Sequence, residues 1–508
     1  MTAGRADAGI RVPAAPQSVI AGLVLVAAAV VLFDETLART GQPVSAVVWG
    51  GLALAAFAGG LACVIAAAQH GDLGLARWKI GPWTMLWYGL TFGISTVTWS
   101  QPQTGDAAEI ALSSVLKALW LIAVGMTAWV IGYLAGPGQP LRGAATRAMG
   151  RLSHRFTADV RSLAAPWILY AIGLAARLAT TATTGVFGYV GDPSSLVSTA
   201  SGYGGILGTL TLCAPLAVAA AALQVFRERI RQARTTLAVL FLFEVAFGAA
   251  AGGKASFVIA GLAVAIPFSA ARLRLPKAAL LLGVFVFLVV IIPFNQAYRN
   301  AARQGPATLT PRQAIAAAPG ILGQVVTGQN LTTIVPKSAA YLLQRNRQID
   351  SPAIILQRTP GQRPFLSPVQ LVEGPVAAMV PRAVWPGKPL ILTGYKFSQE
   401  YFELPPTLYT STAVTAVGGL YMHGGWVPVL GGMLLLGCGV RLLDDVLDVR
   451  ANPHAIFLIL LIFPNFVGGQ EDWLSLLATI PATLCIWLLA VAVTFRVNRP
   501  ALRVSRPA

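Results

Sequence analysis

The residues best suited to chemistry in this chain lie in one short run, Met379-Val-Pro-Arg-Ala-Val-Trp-Pro-Gly-Lys-Pro389. Arg382 offers a planar fork suited to bidentate phosphate contacts, and Lys388 adds a compact point charge. Trp385 lies between them and supplies an indole face on which a sugar ring can stack. Pro381, Pro386 and Pro389 restrict the backbone, so the two cations are held in one arrangement before any ligand arrives. Such a run fits recognition of a phosphorylated, sugar-bearing ligand. It equally fits an interfacial tryptophan anchor with basic flanks that touch lipid headgroups.

Other ionisable residues join this candidate set. Lys254 stands in the Gly252-Gly-Lys-Ala-Ser256 turn, where it either meets an anion at the lipid surface or snorkels as the cap of a hairpin. Glu373 and His423, with Glu400 beside them, are candidates for proton transfer. Arg177 lies near the outer end of the fifth apolar run, where it either serves a ligand or snorkels, and Glu244, deeper in the seventh, reads as a structural ion pair or hydrogen bond to a neighbouring helix or as a site of proton coupling. Asp34-Glu35 and Glu471-Asp472 read as carboxylate pairs of outer loops, either functional or simply solvated.

The elements that must position these residues are written in the composition. Hydrophobic residues make up 56% of the 508-residue chain and charged ones only 11%, with a mean hydropathy of +0.67. Apolar runs recur at 17–33, 44–68, 82–99, 112–135, 163–182, 203–225, 235–251, 254–270, 278–297, 413–440, 453–469 and 473–496. Each approaches the length that spans a ~30 Å hydrocarbon core, where helices satisfy their own backbone amides. The expected fold is an all-α polytopic membrane protein with about 12 transmembrane helices. The first run is read as a spanning helix and not a cleaved signal peptide, because it is too long and lacks a small-residue cleavage site.

Basic clusters follow the second, fourth, sixth, eighth, tenth and last runs, so all share one side if both termini are cytoplasmic. This bias accounts for much of the net charge of +18, so membrane lipid, and not nucleic acid, is the expected neighbour. The four cysteines sit in apolar runs and the four histidines are well separated, so neither disulfides nor a metal site is expected. The chain thus divides into nine helices over 1–297, an extracytoplasmic loop over 298–410, and three helices with a cytoplasmic tail over 411–508. Between Tyr298 and Thr410, eleven Lys/Arg face four acids. Apolar stretches cut by prolines predict short interfacial helices there.

These features resemble the O-antigen polymerases and oligosaccharide repeat-unit polymerases, relatives of the O-antigen ligases. The likeness rests on Gly253-Lys254-Ala-Ser256, on Val380-Pro-Arg-Ala-Val-Trp-Pro-Gly-Lys-Pro389, on Gly394-Tyr-Lys-Phe397 with Tyr401, and on Gly418-Gly-Leu-Tyr-Met-His-Gly424. It covers roughly 240–440; the first five spans match in hydropathy alone. The resemblance implies glycosyl transfer at the outer face of the bacterial cytoplasmic membrane. A polyprenyl-diphosphate-linked glycan would be the donor and another lipid-linked repeat unit the acceptor. It implies no cofactor, and a chain-length regulator and a flippase as partners. Arg382, Lys388, Lys254, Arg299 and Arg363 would stabilise the leaving diphosphate, and Glu373 or His423 would take the acceptor proton. Three alternatives stand beside this reading. One is a ligase, which differs in acceptor. Another is a glycosyltransferase with lipid-monophosphate donors that uses Asp34-Glu35. The third is a transporter with midplane charges.

Overall fold

The computed structural model describes residues 15–68, 78–188, 190–191, 204–303, 310–328, 330–380, 385, 393–405, 411–449, 452–468, 477 and 479–498. The chain begins with an apolar hairpin, α1 (Ala15–Ala38) and α2 (Pro43–Ala68). A broken helix comes next: α3 (Ile80–Tyr88) passes through a π-helical turn, Gly89–Gly93, into a 3-10 run, Ile94–Ser100. After it stand the apolar α4 (Leu112–Ala135), the basic α5 (Gln139–His154) and the strand β1 (Phe156–Val160). The helices α6 (Ala165–Thr184), α7 (Gly204–Leu210), α8 (Cys213–Phe226), α9 (Ala233–Ala251) and α10 (Lys254–Arg272) form the middle of the molecule. Beyond them α11 (Lys277–Val286) runs through a second π turn, Phe287–Ile291, into α12 (Ile292–Arg303).

The polar stretch after α12 holds five short helices: α13 (Pro311–Thr327), α14 (Leu331–Arg345), α15 (Asp350–Arg358), α16 (Gln370–Met379) and α17 (Thr393–Tyr401). A capping box between Thr310 and Gln313 starts α13, and Asn330 caps α14 through Thr332 N. The chain then re-enters the apolar body with α18 (Ala416–Met422), α19 (Trp426–Val446), α20 (His454–Gly468) and α21 (Ile480–Thr494), and the last described element is β2 (Phe495–Val497).

Eight of these segments are long and apolar enough to cross a membrane. The runs expected to span at 82–99, 163–182, 453–469 and 473–496 do not reach that measure. The third run is broken at its glycines because it packs backbone to backbone. A Cβ on Gly93 would lie 2.7 Å from Ala55 N of α2. The fifth run carries Arg177 and a threonine-rich end, and α20 and α21 have 15 residues each. The structure also departs from the all-helical expectation in one place among the described residues. β1 and β2 pair antiparallel, joining the connector after α5 to the end of the chain.

Small residues bring the interior helices together. Ala219–Ala222 of α8 are fully buried, and a Cβ on Gly173 of α6 would collide with Ala214 N. At the α4–α19 crossing a Cβ on Gly437 would strike Trp129 O, and one on Gly132 would strike Leu434 O. Lipid offers helices little hydrophobic reason to associate, so close backbone approach of this kind carries the packing.

The polar contacts gather at two ends of the bundle. At one end Val160 N–H donates to Glu228 (2.7 Å), Gln224 to Ser162 O (2.8 Å), and His454 Nε2 lies 2.9 Å from Thr157 O. The Asp444 carboxylate there accepts from Ile80 N (2.6 Å), Gly81 N (2.9 Å) and Tyr133 OH (2.6 Å). It thereby satisfies the free amides at the start of α3. We call this the sheet face. At the other end the short helices α13–α17 meet the connector after the 3-10 run, the α9–α10 turn and the α18–α19 turn. We call this the loop face.

Candidate anion site on the loop face

The α9–α10 turn is built with little freedom. Gly252 ends α9 in the left-handed region (φ +67°), with its N–H turned back to Gly248 and Ala249 carbonyls. A side chain at that position would run into the Tyr298 ring. Tyr298 OH donates to Ala250 O at 2.5 Å, and Asn295 Nδ2 donates to Gly252 O. α12 is therefore fastened to the turn by two side chains on one face. Gly253 precedes the helix and Lys254, half-buried, is the first residue of α10.

Two arginines act on this lysine through their charge. Arg299 is the residue after Tyr298 on α12, and Arg345 is the last residue of α14. The positive charges of both oppose that of the Lys254 ammonium. Lys254 at the N-terminus of a 19-residue helix, under the charge of two arginines, makes a candidate anion site, since the free amides and the helix dipole act in the same sense. Lys254 and Arg299 are both candidates on sequence grounds. Arg345 is not, because a basic residue in the last turn of a helix is unremarkable by itself.

Arg345 is held in place by the corner between α14 and α15. Arg347 is buried there, with its Nε 2.9 Å and Nη2 2.7 Å from the Asp350 carboxylate. Its Nη1 donates to Thr98 Oγ1 (3.0 Å) and Gln103 Oε1 (2.7 Å), and the guanidinium lies 4.8 Å from the Trp99 ring. Trp99 Nε1 in turn donates to Asp350 (3.2 Å). Burial pushes the Asp350 carboxyl above the usual carboxylate range, and Arg347 pulls it back. This network docks the α14–α15 corner onto the 3-10 run.

A second brace closes the base of the next stretch. Arg358 pairs with Glu403 and with Glu109 (3.3 Å). Thr359 and Tyr401 share a 2.7 Å hydrogen bond, and Arg363 Nη2 donates to Glu400 O at 2.9 Å. Tyr401 is buried, so its phenol holds the fold of this stretch and faces no open surface. Burial raises that phenol above its ordinary range. Arg363 is engaged with the backbone at the same neck. Neither side chain is brought to Lys254 by any of these contacts.

The remaining candidates are dispersed. Trp385 is exposed, and Arg382 and Lys388 lie outside the described residues, as does Glu471-Asp472. Glu373 is exposed on the first turn of α16. His423 is buried, with Nδ1 2.7 Å from Gly419 O of its own helix. The two residues considered for proton transfer are thus in different surroundings. Asp34-Glu35 falls in the last turn of α1, where Glu35 pairs with Arg39 at 2.9 Å. Arg177 does not reach for the surface: it meets Glu244 through two bonds of 2.6 and 2.9 Å and stacks over Phe247.

Residues 194–444 match the model of a family described as a domain of unknown function (DUF8712). That stretch takes in Lys254, Arg299, Arg345 and the whole of the loop-face helices. No curated protein and no solved structure matches the chain.

Proposed function

We propose that this chain is a membrane glycosyltransferase that polymerises polyprenyl-diphosphate-linked oligosaccharide repeat units. In this reading it works at the outer face of a bacterial cytoplasmic membrane. It crosses that membrane twelve times with both termini inside, and the loop face is the extracytoplasmic one. The segregation of polar contacts supports the topology. The connectors rich in Lys and Arg meet one another on the sheet face, and the long polar stretch meets connectors poor in them on the loop face.

The observation that carries the reading is the positive charge at the head of α10, where Lys254 opens the helix, Asn295 and Tyr298 tie the Arg299-bearing α12 to the turn, and the charges of Arg299 and Arg345 act on Lys254. Glycosyl transfer from a lipid diphosphate needs fixed positive charge where the leaving group develops its own. The acceptor hydroxyl oxygen attacks the anomeric carbon, and the bond from that carbon to the diphosphate oxygen breaks. The electron pair departs on the diphosphate oxygen, and Lys254, Arg299 and Arg345 offset its negative charge, with Arg382 and Lys388 as further candidate cations. The hydroxyl proton passes to a base. His423 presents Nε2 as the acceptor when Nδ1 donates to Gly419 O, and Glu373 is the exposed alternative.

The test is the lipid-linked glycan profile of a deletion strain that carries variants of the chain. Lys254→Ala, Arg345→Ala and the pair Arg382→Ala with Lys388→Ala should abolish long polymer while single lipid-linked units persist. Lys254→Arg should retain part of the activity. Polymer of normal length in all three alanine variants would overturn the assignment.

A further inference from the structure

α5 lies on the sheet face and belongs to none of the machinery above. It has 16 residues without a single acid, QPLRGAATRAMGRLSH, and none of them is buried. Its sides are sharply divided. Arg147 and Arg151, with Arg155 just past its end, recur every fourth residue and so stand on one side. All three are exposed, and among the described residues none meets a carboxylate. Met149 and Leu152 turn to the body of the protein. Leu141 leaves 57% of its surface uncovered beside the arginine side.

The height of the helix is fixed by its pins. Arg142 reaches Asp445 at 3.2 Å, one residue before the end of the membrane-crossing α19. At the other end Asn452 donates to Ser153, and Asn498 takes the carbonyls of His154 (3.0 Å) and Arg155 (2.7 Å). α4 stops at Ala135, four residues before α5 begins. α5 is thereby held level with the ends of two spanning helices, where hydrocarbon gives way to headgroups. A helix at that depth with a cationic side and an exposed leucine suits an anionic bilayer surface.

We infer that α5 is a docking surface for anionic phospholipid headgroups, which Arg147, Arg151 and Arg155 bind on the leaflet opposite the loop face. The phosphate of an anionic lipid satisfies the fork of an arginine, and Leu141 enters the acyl boundary beside it. The inference stands on the geometry of the sheet face and does not depend on the proposed activity.

The test uses the full chain in detergent, titrated with phosphatidylglycerol or phosphatidylcholine and read by native mass spectrometry. The wild-type chain should retain phosphatidylglycerol in preference to phosphatidylcholine. The triple variant R147Q/R151Q/R155Q should weaken that binding by at least about tenfold, and Arg151→Gln alone by roughly fivefold. A matched variant, R272Q/R274Q/K277Q, removes the same charge from the exposed corner between α10 and α11, and should bind as the wild type does. Equal loss in both triple variants, no loss on α5, or equal binding of the two lipids would each overturn the inference. All substituted side chains on α5 are exposed, and the single variant reads the effect independently of the triple.

Discussion

At the scale of residues the loop face is governed by buried arginines with defined partners. Arg347 is the clearest: its side chain is 4% exposed, and it holds Asp350, Thr98, Gln103 and the face of Trp99 together. Removing it leaves a half-buried carboxylate without its countercharge, which costs about 1–3 kcal/mol. Arg347→Ala should therefore lower the melting temperature of the purified protein sharply, and adding Asp350→Asn should recover much of the loss. A variant as stable as the wild type would contradict the network. The pH dependence has a fixed sign. Burial raises the Asp350 carboxyl over its unfolded value, with Arg347 acting the other way. The folded state then holds that proton more tightly than the unfolded chain. Its contribution to stability is complete below the unfolded value of about 3.9 and declines as pH rises through the folded one. The stability difference between wild type and Asp350→Asn should fall with rising pH in the acid range. A flat difference would show that Asp350 has no raised pKa.

At the scale of elements the decisive positions are glycines at helix crossings. Gly437 of α19 touches the backbone of α4 at Trp129, whereas Gly439, two residues along, faces open space. Gly437→Ala must push two spanning helices apart, and should cost at least about 1–3 kcal/mol. Gly439→Ala should be neutral or slightly stabilising. Thermal unfolding of the two variants decides the matter, and equal stability would contradict the close crossing.

Much of this level is legible in the chain itself, because apolar length and charge reveal helices directly. The break in the third run is not. Residues 82–99 read as one apolar run, and the turn into π and 3-10 geometry falls where Gly93 lies against Ala55 of α2. The β1–β2 pair is equally hidden, since its strands lie over three hundred residues apart and have only five and three residues. For the site, the glycines around Lys254 mark a turn that admits a cation. Arg345 has no local signal, and its role comes from Arg347 and Trp99, which fix the corner beyond it. Tyr401 stands in a suggestive motif, but its hydroxyl is taken by Thr359.

At the scale of the whole molecule the two sets of polar contacts define a vector across the membrane. On the sheet face the β1–β2 pair, Glu228 and His454 tie together the connectors after α5, α8 and α19 with the chain end. On the loop face Arg358 ties the connector before α4 to the stretch before α18. A chain that held both sets on one side would have to thread polar backbone through hydrocarbon, where unsatisfied amides cost several kcal/mol each. The two faces should therefore be reached from opposite sides of an intact membrane. Glu403, with a side chain 68% exposed, and Arg151, exposed on α5, are suitable reporters. Each is replaced singly by cysteine after Cys63, Cys213, Cys438 and Cys485 have been changed to alanine or serine. A membrane-impermeant maleimide added to whole cells should label Glu403→Cys and spare Arg151→Cys. After the membrane is opened, both should react. Labelling of both from outside would break the two-faced architecture. Labelling of Arg151→Cys alone would keep the architecture, reverse its direction, and remove the extracytoplasmic placement on which the proposed glycan polymerisation depends.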